Sequence, residues 1–116
     1  MILKHPDDKL GDILQTLRSS KGMTQVALAK ILKVTHAHIA QIETQRKTPS
    51  LKVFLKLLEA FKPMPSKRVF ELRDLYIRKK YKDIIKLDEG IFEIYREEVE
   101  KEAIKSGLVK HPFLKY

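Results

Sequence analysis

The sequence predicts an all-α protein in two helical parts, and three observations carry that expectation. Apolar residues recur every three or four positions in one segment after another. A Ser, Thr or Asp stands just ahead of most of these segments, where a helix takes its first cap. No sustained alternation of apolar and polar residues marks a strand, and four glycines are few for the turns of a β-protein.

The elements follow in order. A first helix is expected over about 10–20, with Leu10, Ile13, Leu14 and Leu17 at helical spacing. Asp7 and Asp8 precede it and suit the positive end of its dipole. Lys21-Gly22 closes it, glycine supplying the left-handed residue that ends many helices. Thr24 is placed to cap a second helix carrying Val26, Leu28, Ala29, Ile31 and Leu32. Thr35 caps a third, which turns Ile39 and Ile42 inward and keeps Ala37 and Ala40 small for close approach. Pro49-Ser50 opens a fourth, with Leu51, Phe54, Leu55, Leu57, Leu58 and Phe61. The stretch KPMPS, 62–66, is a rigid connector that divides the chain into 1–62 and 63–116. Beyond it Ser66 is expected to cap a helix with Val69, Phe70, Leu72, Leu75, Tyr76, Ile77 and Tyr81. Asp88 is expected to cap another with Ile91, Ile94, Tyr95, Val99 and Ala103, ended by Ser106-Gly107.

Composition narrows the function classes. The 116-residue chain carries a net charge of +9 and a pI near 9.8, a field that attracts polyanions, nucleic acid foremost. Without cysteine there is no disulfide, no thiolate catalysis and no Cys-based zinc site. No apolar run approaches the ~20 residues of a membrane span. The first residues, MILKHPDD, lack the apolar core of a signal peptide, so a cytoplasmic protein without membrane contact is expected. Charge is unevenly spread: 63–87 is strongly basic and 88–102 strongly acidic, so these stretches are expected to attract, within a subunit or between subunits.

Two short helices separated by about three residues make a helix-turn-helix, whose second helix enters the DNA major groove. Its outer face must offer side chains that donate and accept hydrogen bonds in fixed directions. The stretch VTHAHIAQIETQRKTPS, 34–50, fits that demand: in a chain rich in Lys and Glu, this face carries His36, Ala37, His38 and Gln41.

From Leu10 to Phe61 the chain resembles the lambda-repressor-like (Cro/CI, XRE-type) helix-turn-helix DNA-binding family. The likeness is carried by Arg18, Gly22, Thr24-Gln25, Leu28-Ala29, Val34-Thr35, Ile39, Glu43 and Pro49-Ser50 in order and spacing. The resemblance implies base contacts from His36, Ala37 and Gln41. It implies phosphate contacts from Gln25 and Thr35, and a structural ion pair between Arg18 and Glu43. Thr24 and Ser50 add helix-terminal amides for phosphate, Arg46, Lys47 and Lys52 add cations, and His38 is read as a flanking phosphate contact. The family usually has glycine two residues after the Glu, whereas this chain has Glu43-Thr44-Gln45. Either Gln45 takes a left-handed conformation, at a cost of ~1 kcal/mol, or the helix extends.

No catalytic constellation and no Gly-rich phosphate loop appears, so an enzyme is not expected. No metal site is expected either: His36 and His38 lie two apart and point to different helix faces, and His5 and His111 lie in the tails. No cofactor is implied. The expected function is a homodimeric repressor that reads a palindromic operator in double-stranded DNA. The alternative is an antitoxin or adaptor that binds a protein partner through 66–116 and regulates its own operator.

Overall fold

The computed structural model describes residues 9–107, so Asp7, Asp8, His5 and His111 lie outside the described residues. Every regular element among the described residues is helical. They are α1 (Lys9–Ser20), α2 (Gln25–Leu32), α3 (His36–Glu43), α4 (Leu51–Ala60), α5 (Ser66–Lys80), α6 (Lys82–Leu87) and α7 (Gly90–Lys105). The chain forms two compact units that meet in sequence between Pro63 and Met64.

In the first unit the starts of three helices follow from single side chains. Thr24, Thr35 and Ser50 each hold extended backbone, and each hydroxyl accepts the amide N–H three residues on, from Ala27, His38 and Val53. Helix ends are set by left-handed residues. Gly22 (φ 71°) follows α1, and Met23 N–H returns to the Arg18 carbonyl. Lys33 (φ 59°) ends α2 in the same way, with Val34 N–H returning to the Ala29 carbonyl. The turn from α2 to α3 is thus three residues, Lys33 to Thr35.

Helices of eight residues, such as α2 and α3, do not persist alone. Packing holds them. α3 packs on α1 and α2, and α2 packs on α4. Leu10, Leu14, Leu28, Leu32, Ile39, Ile42, Phe54, Leu57, Leu58 and Phe61 are buried in this core. Each such side chain contributes about 1.5–3 kcal/mol by leaving water. Not every apolar residue of α2 joins them: Val26 and Ile31 remain 47% and 58% exposed.

At the end of α3 the backbone settles the alternatives left by the missing glycine. Thr44 ends the helix and Gln45 takes φ 70°, so Gln45 occupies the left-handed position itself. Its side chain offsets part of the strain: Oε1 accepts the Gly11 N–H at 3.2 Å, satisfying one of the free amides in the first turn of α1. The approach is close. A Cβ on Gly11 would lie 2.7 Å from the Glu43 carbonyl oxygen and closer still to Gln45 Nε2, so any larger residue forces the neighbours to shift.

In the second unit α7 packs on α5, and α6 packs on both. Val69, Leu72, Tyr76, Ile77, Ile85, Val99 and Ala103 are buried. Tyr81 and Tyr95 stack with ring centroids 3.5 Å apart, and Arg78 lies over the Phe92 ring at 4.3 Å. Two expected caps are corrected. Ser66 is the first helical residue rather than the cap; Pro65, extended and without an N–H to lose, supplies the carbonyl that accepts from Arg68 and Val69. Asp88 stands two residues before α7, where its Oδ1 accepts the Gly90 N–H at 2.9 Å. The short α6, not anticipated from the sequence as a separate helix, is set off by a break at Tyr81. One ion pair across α5 and α7 runs against the expected polarity: Asp74 from the basic stretch faces Arg96 from the acidic one, with Nε 3.5 Å away.

Candidate nucleic-acid interface

The site is built on α3 and braced from behind. Glu43, at the last turn of α3, is only 5% exposed, yet it carries a charge. Arg18 of α1 meets it with two donors, Nε to Oε2 at 2.6 Å and Nη2 to Oε1 at 3.1 Å. The remaining Arg18 nitrogen, Nη1, donates to the Met23 carbonyl at 2.7 Å. The hydrogen bonds that Arg18 donates to Glu43 raise the pKa of the guanidinium further, against the opposing effect of burial. Such a planar, two-pronged pair fixes orientation as well as energy.

Gln25, the first residue of α2, continues the network. Its Nε2 donates to Glu43 Oε1 at 2.9 Å, and its Oε1 lies 2.8 Å from His36 Nε2. The first residue of α2 is therefore tied at once to the end and to the beginning of α3. One amide N–H of Gln25 is left over from these bonds, aimed to neither partner.

The outer face of α3 is open. His36, Ala37 and Gln41 are exposed. Arg46 and Lys47 follow the helix and are exposed, as are Lys52 on α4 and the capping residues Thr24, Thr35 and Ser50. His38 is half-buried. Its Nε2 is buried without a hydrogen-bond partner, so that nitrogen is not offered to a phosphate. Burial of the ring, and secondarily the charge of Lys47, lower its pKa below 6.5 and favour the neutral form.

Two features escaped the sequence reading. The Gln45 side chain capping α1 gave no signal of its own. The isolated Gly11 inside a helical pattern did, since a glycine there costs ~1 kcal/mol against alanine and so calls for a packing reason. Among the described residues no group of three or more His, Cys, Asp or Glu is placed to hold a metal ion. No helix among the described residues is long and apolar enough to cross a membrane.

Fold and site together define a helix-turn-helix module with its second helix presented outward. Residues 14–64, somewhat under half of the chain, match the family model described as helix-turn-helix, that of the lambda-repressor-like, XRE-type domain. The chain thus carries a DNA-binding transcription-regulator domain, from a family that is regulatory rather than enzymatic. No curated protein and no solved structure matches the chain.

Proposed function

We propose that this chain is a sequence-specific repressor that binds a palindromic operator as a homodimer. His36, Ala37 and Gln41 read base edges in the major groove. Gln25, with its uncommitted N–H, joins Thr24, Thr35, Arg46, Lys47, Ser50 and Lys52 on the phosphates. Residues 1–62 form the DNA-binding domain, and 63–116 bring two such domains together, so that two copies of α3 lie about one DNA turn, ~34 Å, apart. The protein works in the cytoplasm.

The observation that supports this reading best is the contrast on α3. The residues on its inner side are locked to α1 and α2 through Arg18, Glu43 and Gln25, while His36, Ala37 and Gln41 are left to solvent. A face held this rigidly, carrying short polar side chains on a basic protein, suits base reading. Selection of bound duplexes from random DNA tests it. A palindromic consensus with half-sites one turn apart is expected, and a chain that binds no duplex at low ionic strength refutes it.

A second reading is favoured by Leu87, 88% exposed, and Ile94, 56% exposed, in the second unit. In it the unit docks a different protein, as an antitoxin or adaptor would, and the chain still regulates its own operator. The mass of the purified chain in solution separates the two: a stable dimer supports the repressor, and a monomer that aggregates supports the partner reading.

A further inference from the structure

The hydrogen-bond chain from Arg18 to His36 has a direction, and that direction decides where protons sit. Glu43, ion-paired with Arg18, presents carboxylate oxygens that only accept. Gln25 must therefore turn its amide NH2 toward Glu43. Its carbonyl oxygen is then the atom that faces His36 Nε2 at 2.8 Å. An amide oxygen also only accepts, so Nε2 of His36 must carry the hydrogen. In the neutral ring the other nitrogen, Nδ1, is then a bare acceptor. His36 itself is exposed at the first position of α3.

We infer that this relay makes His36 a hydrogen-bond acceptor toward DNA, so that it selects an exocyclic base amine, adenine N6 or cytosine N4, and rejects the N7 and O6 of guanine. The inference rests on the reading that α3 enters the major groove. There the amines of adenine and cytosine are donors, whereas guanine N7 and O6 are acceptors. A histidine free to exchange tautomers meets either kind of edge, because it offers N–H or lone pair as required. The relay removes that freedom. Against guanine the locked ring would set lone pair against lone pair and leave both unsatisfied. Gln25 is in this sense a positioning residue: it sets base preference through His36. The preference is encoded by a residue on α2 and a buried carboxylate at the far end of α3.

The full chain is tested at mildly alkaline pH, because a second hydrogen on the ring would occupy Nδ1 and reverse its role. Long-range proton–nitrogen NMR on histidine-labelled protein without DNA assigns the ring hydrogen. The Nε2–H form is expected for His36 in the wild type, and a mixture of forms in Gln25→Leu. The second readout uses duplexes carrying the selected site with single atoms removed. Unsubstituted purine in place of adenine, or pyrimidinone in place of cytosine, deletes one amine; a deazaguanine deletes one N7. One amine deletion should weaken wild-type binding roughly tenfold to a hundredfold and leave His36→Ala unaffected. An Nδ1–H form of His36 overturns the inference. So does a His36-dependent loss on removing N7, or the absence of any His36-dependent loss on removing an amine; in these cases DNA binding itself stands. A chain that binds no duplex overturns the DNA reading together with this inference, and the NMR form, measured without DNA, shows that the relay was not the part that failed.

Discussion

Arg18 grips Glu43 from two sides, Nε to Oε2 at 2.6 Å and Nη2 to Oε1 at 3.1 Å, and so joins α1 to the last turn of α3. With the Arg18 and Glu43 side chains 11% and 4% exposed, the pair is nearly dry. Pairs of this kind add little against a well-packed apolar replacement, but breaking one is expensive because a buried charge is left alone. Glu43→Ala should therefore destabilise the first unit by about 3–5 kcal/mol. Urea unfolding followed by the amide resonances of α1–α4 measures it. A loss below about 1 kcal/mol, the range of an exposed pair, would show that the bridge holds nothing.

Gly11→Ala sets two effects against each other. Alanine is the better helix former by about 1 kcal/mol. The added methyl, however, meets the Glu43 carbonyl oxygen at 2.7 Å, a backbone atom that cannot swing aside. Overpacking of this kind costs about 1–3 kcal/mol, so net destabilisation is expected. Adding Gln45→Gly removes the clash with the Gln45 side chain and relieves the left-handed strain, but it leaves the Glu43 oxygen in place. The double variant should recover only part of the loss. Recovery to wild type would place the obstruction in the side chain alone.

On DNA, base and phosphate contacts separate by how their loss depends on sequence and salt. Gln41→Ala should relax preference at one operator position and weaken specific binding by about 1–3 kcal/mol. Lys47→Ala should weaken binding to all duplexes and flatten the slope of log affinity against log salt by about one unit. An equal loss on every sequence for the first variant, or an unchanged slope for the second, contradicts the assigned role.

His38 gives the domain a pH dependence with a definite sign. Burial and Lys47 hold its pKa below 6.5 in the folded chain, while the unfolded ring is free to take a proton. The unfolded state therefore binds more protons as pH falls through about 6.5, and stability drops until the folded ring also titrates. His38→Gln removes this contribution. The fall in urea midpoint of the first unit between neutral and acid pH should be smaller in the variant than in the wild type. Equal falls would show that the ring is not shielded.

Truncation after Lys62 tests the division of labour between the units. The shortened chain should fold, since the core residues of α1–α4 are all retained. It should bind the palindrome far more weakly than the full chain does, as a monomer. Full affinity in the truncated domain would exclude 63–116 as the dimer-forming part.

The first unit was legible because its signals are local. Thr24, Thr35 and Ser50 each bond an amide three residues away, and Gly22 needs only its own φ. Leu14, Ile39 and Phe54 fall at helical spacing and are buried. The features left open or unseen depend on distant partners. Gln45 takes a backbone conformation that its own identity disfavours and reaches 34 residues back to Gly11. His38 and Gln41 look alike as polar residues of one short helix, and only the packing around α3 tells the half-buried one from the exposed one. In the second unit Pro65 displaced Ser66 as the cap, because a rigid extended residue already supplied the carbonyl. Net charge predicted attraction between its basic and acidic stretches, while the contacts seen there include stacked rings and a cation over an aromatic face, which charge counting does not register.

The stacked pair Tyr81–Tyr95 also governs how the protein is seen by light. The chain has no tryptophan, and its four tyrosines, at 76, 81, 95 and 116, all follow Pro63. Tyrosine bands in near-ultraviolet dichroism and tyrosine emission therefore report on the second unit alone. A thermal scan in those signals could look unperturbed while the domain that carries α3 had already melted.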